Sequence, residues 1–146
     1  MQKQTTAHTF TKTQEDDTRE AVFRYHMTKL PPQFPFITRI KFPEIYFLSV
    51  NRADPSPTFL ARFGNNKPPV KARSAVKPRR FEVFDKATGK EGILISADAV
   101  RWIAASQAKV ETRWHKDGRG GTAGTCLVQQ QKKGWVVVYY AIRAIF

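Results

Sequence analysis

"AKVETRWH", residues 108–115, alternates one residue at a time: Val110, Thr112 and Trp114 fall on one side, Glu111, Arg113 and His115 on the other. A period of two over this length is the pattern of a half-buried strand. Toward the C-terminus, "KDGRGG" (116–121) carries turn residues. "TAGTCLVQQQ" (122–131) is a second strand, "KKG" (132–134) a tight turn, and "WVVVYYAIRAIF" (135–146) a third strand. The last is apolar on almost both faces, the composition of a central strand. Three runs joined by such short turns predict an antiparallel meander.

Toward the N-terminus, "ILISADAVRWIAA" (93–105) is one strand or two strand pieces. "KATGKEG" (86–92) is a turn, and "RRFEVFD" (79–85) a strand with Phe81, Val83 and Asp85 on one face. "EIYFLSV" (44–50) is strand by composition. In "DPSPTFLARFG" (54–64), Ser56 suits an N-cap, Pro57 the first helical position and Gly64 a left-handed closing residue. "PPQFPFITRIKFP" (31–43) is extended and edge-like, because its prolines lack a donor. "QEDDTREAVFRYHMTKL" (14–30) is a helix of roughly four turns. Its acidic residues cluster at the N-terminal end, and Pro31–Pro32 prevent continuation. Residues 1–14, polar and Thr-rich, are expected to form a flexible tail ahead of a single domain over 15–146. The fold class is α+β: a curved antiparallel sheet, ending in a C-terminal meander, packed on an N-terminal helix plus a short second helix.

The bulk properties bound the function. A chain of 146 residues fits one domain. Twenty-five Lys and Arg against twelve Asp and Glu leave a charge of +13, which attracts nucleic acid or another polyanion, or an acidic protein. One cysteine, Cys126, makes no internal disulfide and excludes four-cysteine zinc sites. No run is long enough to span a bilayer as a helix, so no transmembrane segment is expected. The first residues carry no apolar leader region. The expected location is soluble, either cytoplasmic or secreted with a signal peptide removed.

Catalytic signatures are weak. Gly118, Gly120 and Ala123 match the letter of a dinucleotide fingerprint, but that fingerprint needs a following helix, and here a strand follows. His8, His26 and His115 show no metal-binding spacing. His115 with Asp117 makes an acid/base pair only if a pocket opens beside them; a loop-edge histidine is the plainer reading. Cys126, between Thr125 and Leu127, reads as a buried inert thiol. No catalytic residue, metal or cofactor is expected.

The strongest functional signal is "NNKPPVKARSAVKPRR", residues 65–80, with six basic side chains and no acidic one. Lys67, Lys71, Arg73, Lys77, Arg79 and Arg80 stand among prolines that hold the backbone extended. That arrangement presents cations to a phosphate backbone without base stacking. The plainer reading is a solvated connection, the usual fate of a charge run.

Taken together, "EDDTREAVFRY", "FLSVNRADPSPTFLARF", "PPVKARS", "FDKATGKEGILI", "VRWI", "VETRW" and "KKGWVVV" resemble an uncharacterised bacterial family whose members often look secreted. The resemblance covers about residues 15–146. It implies a cone-like α+β fold of the nuclear-transport-factor-like or cystatin-like kind, with a pocket between helix and sheet. The chain departs from the family in "VETRWHKDGRGGTAGTC", which holds Trp-His and extra Arg and Lys where Gly-Tyr-Tyr-like residues are expected. In such a pocket Tyr25, Trp102, Trp114 and Tyr140 are the expected walls, with Arg113 and His115 at the rim. Aromatic residues on a sheet serve equally as core.

Three functional readings follow. The first is a non-catalytic binding domain with an anionic partner. The second is a cone-like pocket domain that binds or turns over a small molecule. The third is a subunit of an assembly, self-associating through apolar edges such as "FPFITRIKF" (34–42).

Overall fold

The computed structural model describes residues 10–29, 43–79, 82–117 and 120–145. The expected extended segment 31–43 lies outside them except for Pro43, as do residues 1–9, Arg80 and Gly118. The chain is α+β, and the order is α1 (Lys12–Lys29), β1 (Ile45–Ser49), α2 (Pro57–Ala61) and β2 (Val70–Ala72). A 3₁₀ turn (Arg73–Ala75) follows, then β3 (Val76–Arg79), β4 (Glu82–Asp85), β5 (Gly92–Ala104), β6 (Gln107–Asp117), β7 (Gly120–Gln131) and β8 (Gly134–Ile145).

Six strands form one sheet in the order β2-β1-β5-β6-β7-β8, and β3 pairs with β4 in a separate hairpin. The pairs β5–β6, β6–β7 and β7–β8 are antiparallel, the meander expected from residues 108–146. β1 runs parallel to both β2 and β5. β8, whose composition suits a central strand, is instead an edge strand of the sheet among the described residues. The composition reports apolar neighbours on both faces; it cannot report whether another strand lies alongside.

The helices cover one face of the sheet. Val22 and Phe23 of α1 and Phe59 and Phe63 at α2 meet Tyr46, Leu48, Ile93, Ile95, Ala97, Val110, Cys126 and Val128, all buried. The β3–β4 hairpin covers part of the other face, packing Val83 on Ile45, Phe47 and Leu94. β1 is therefore buried on both sides along its whole length, as a parallel strand between two layers must be. Gly92 makes that packing possible: a Cβ there would stand 2.5 Å from the Ile45 carbonyl oxygen.

α1 begins at Lys12, earlier than the acidic cluster suggests, because Thr11 and Gln14 cap one another. Its buried stripe is Thr18, Arg19, Val22, Phe23 and His26. The polar members have partners: Thr18 Oγ1 donates to the Glu15 carbonyl at 2.7 Å. Arg19 Nε and Nη2 donate to the Asp98 carbonyl at 3.1 and 2.9 Å. That carbonyl lies where the β5–β6 register shifts between Ala97 and Val100. A bulge takes a residue out of the ladder, and Arg19 supplies the donor there. α2 starts as expected, with Phe59 N donating to Ser56 Oγ. Gly64 differs from expectation: the chain leaves α2 through right-handed turns, and among the described residues the glycines with positive φ are Gly89, in the turn after β4, and Gly134, the first residue of β8.

Candidate functional site

The described part of the segment 65–80, residues 65–79, is folded. Its middle is β2, the 3₁₀ turn and β3. Lys71, paired with Phe47 across β2–β1, reaches the Asp85 carboxylate at 2.8 Å, and Thr88 Oγ1 donates to the same oxygen at 2.7 Å. Asp85 is buried, and these donors, Lys71 first, hold its carboxyl below the usual carboxylate range. Arg73 Nη1 donates to the buried Ser49 Oγ at 3.1 Å. Two of the six cations are thus engaged inside the fold. Lys67 and Lys77 are exposed, Arg79 lies on β3, and Arg80 is outside the described residues.

A second set of cationic side chains lies on the face of the meander turned away from α1. Arg101 and Lys109 are register partners across β5–β6. Lys109 in turn faces Leu127, which faces Tyr139 on β8. Like charges directly opposite one another destabilise a sheet. Arg113 is exposed on this same face, opposite Ser96 and Ala123. The face also carries a carboxylate, Glu111, which accepts from Thr125 Oγ1 at 3.0 Å and from Arg143 Nη2. Sequence reasoning missed the Arg101–Lys109 pair. Alternation in 108–115 fixes which side Lys109 takes, but its partner depends on two register shifts in β5 that leave no clear mark in the sequence.

The expected pocket residues separate into three places. Tyr25 and Tyr140 come together at the C-terminal end of α1, with ring centroids 6.2 Å apart. Trp114 is on the same face of the sheet, half-buried against the core. Trp102 is at the other end of α1, a helix ~27 Å long, stacked on Phe10 at 3.7 Å and edge-on to Trp135 at 5.5 Å. Arg113 and His115 are on the opposite face, His115 in register with Leu94 beneath the hairpin.

His26 and two threonines join Tyr25 and Tyr140. The Thr112 hydroxyl donates its one proton to the Ser96 carbonyl at 2.7 Å, so it accepts from His26 Nε2–H at 2.9 Å. The neutral His26 ring carries its proton on Nε2. Burial pushes its pKa down to about 4. Its ring stands edge-on to Tyr140 at 5.1 Å. The Tyr140 and Thr122 hydroxyls are 2.8 Å apart. Burial raises the Tyr140 and Tyr25 hydroxyls above their ordinary value and pushes the Cys126 thiol up to about 12. A thiol so placed is not a nucleophile near neutral pH. Among the described residues, no group of three His, Cys, Asp or Glu side chains is placed to hold a metal. No described helix is long and apolar enough to cross a membrane. Gly120 and Ala123 are both on β7, without the following helix that a dinucleotide fingerprint requires.

Comparison with known proteins gives no match: no family model, curated protein or solved structure is significantly similar to this chain.

Proposed function

We propose that the protein is a non-catalytic binding domain whose partner is a polyanion, nucleic acid foremost. The observation that carries this reading is Arg101 set directly opposite Lys109 on an outward sheet face. Two cations held side by side cost stability, and a phosphate lying across both offsets that cost. The excess of 25 basic over 12 acidic residues draws such a partner in from a distance. Lys67 and Lys77 extend the contact, whereas Lys71 and Arg73 serve the fold. The test is binding to labelled single- and double-stranded nucleic acid over a salt series. A log–log slope of roughly −3 to −5 is expected, and Arg101→Gln with Lys109→Gln should flatten it by about two. No binding at ~0.15 M salt, where the Debye length is ~8 Å, ends the reading.

A second reading has its own support. His26, Thr112, Thr122, Tyr25 and Tyr140 gather polar groups among aromatic rings under α1, the mixture that orients a small ligand. Retained small-molecule binding that Tyr140→Phe weakens, with nucleic-acid binding absent, would favour it.

A further inference from the structure

We propose that β8 is a self-association edge and that its occupant is β8 of a second copy of this chain, lying antiparallel to it. Of the five large apolar side chains that stand exposed among the described residues, four are on β8, Val138, Tyr139, Ile142 and Ile145, with exposures of 42, 64, 51 and 78%; the fifth, Ile103, is on β5. They are not on one face. Tyr139 is in register with Leu127, on the side away from α1, whereas Ile142 is in register with Gly124, on the side of Cys126 and α1. Face-to-face packing covers one set and leaves the other wet. A strand laid along the edge covers both, because it flanks β8 on its two sides at once and satisfies its outward backbone groups.

Charge and area select a second copy as the occupant. In a chain of net charge +13, β8 holds a single charged side chain, Arg143, and Glu111 neutralises it within the same chain. A neutral apolar strip is complementary to itself, which a two-fold interface requires and a cationic one forbids. A 12-residue strand is ~40 Å long. A strip of that length and ~15–20 Å wide amounts to roughly 600–800 Å² per partner, the lower end to the middle of a standard stable interface. Register shifts at Ala123/Gly124 and Leu127/Val128 give β8 extra residues there. Such bulges interrupt a regular ladder, so the backbone pairing centres on Tyr139–Ile142 and the side chains on either side of it, Ile145 among them, add contact area without regular pairing.

Sedimentation or light scattering over a concentration series from ~1 to ~300 µM tests this; ~µM affinity corresponds to about 8 kcal/mol of association free energy. The wild-type chain is expected to pass from monomer to dimer. Tyr139→Lys with Ile142→Lys should stay monomeric and melt at the temperature of the dilute, monomeric wild-type chain, because both side chains are exposed in the single chain. Should that double variant not fold, Ile145→Lys, at the exposed end of the strand, should shift the dimer midpoint upward by at least tenfold. A wild-type monomer at every concentration overturns the proposal. A dimer that both variants leave intact also overturns it, since the contact then lies elsewhere.

Discussion

Lys71 and His26 show how a side chain's role changes once its neighbours are known. In the sequence Lys71 is one of six cations in a run; in the fold it neutralises Asp85, which has 1% of its surface exposed. Lys71→Met is expected to destabilise the protein by ~1–3 kcal/mol in urea denaturation, less than the full cost of breaking a buried pair because Lys71 is itself 37% exposed. Its effect on nucleic-acid binding should be small when the folded fraction is held constant. Asp85 also has a pH signature. Its folded pKa is lowered, so its contribution is present above the unfolded carboxylate range and is lost as pH falls through the folded value. His26 acts in a neighbouring window. The folded ring stays neutral down to about pH 4, whereas the unfolded one protonates near 6.5. Between those values the unfolded chain binds a proton that the native chain refuses, so stability falls with pH by up to about 3 kcal/mol. His26→Gln keeps a donor for Thr112 and does not titrate. It should flatten denaturation midpoints between pH 6.5 and 4 while leaving the higher-pH midpoint within ~1.5 kcal/mol of wild type.

Turns and bulges set what the elements can tolerate. Val50 and Ala53 exchange both backbone hydrogen bonds around Asn51 and Arg52, whose φ angles are 50° and 63°. Asn suits the left-handed region; Arg does not. Arg52→Gly should raise the melting midpoint by an amount worth about 0.5–1 kcal/mol, the strain relieved less the added chain entropy. Gly124 presents the opposite case. A Cβ there would collide with the Ala141 backbone of β8. Gly124→Ala is expected to cost more than ~2 kcal/mol by forcing β7 and β8 apart, read as loss of amide protection in β8 by hydrogen exchange. At this scale much was legible. Alternation in 108–115 predicted β6 and its neighbours, and Ser56-Pro57 marked α2. The same alternation already separates Trp114 from Arg113 and His115, so one ring of pocket residues could not include all three. What the sequence left open was register. A bulge shifts the pairing by one residue without an obligatory residue type, and the Arg101–Lys109 pair depends on it. His26 and Thr112, 86 positions apart, meet only because α1 lies across the sheet.

For the molecule as a whole, the fold class followed from the order of periodic segments, helix first and strands last. The parallel placement of β1 between β2 and β5 did not, because parallel neighbours are brought together by crossovers rather than turns. The net charge is likewise a property of the whole chain. Replacing Lys67 and Lys77 by Gln should weaken polyanion binding evenly across sequences and lower the salt slope by roughly two, as loss of phosphate contacts does. The long separations have a consequence for how the protein is made. Arg19 finds its acceptor on Asp98, 79 positions later. At roughly 5–20 residues per second on the ribosome, α1 emerges several seconds before the strands that will cover Val22 and Phe23. Throughout that interval Val22 and Phe23 have nothing to dock on, and the helix that carries them waits for its packing surface before it is stably formed.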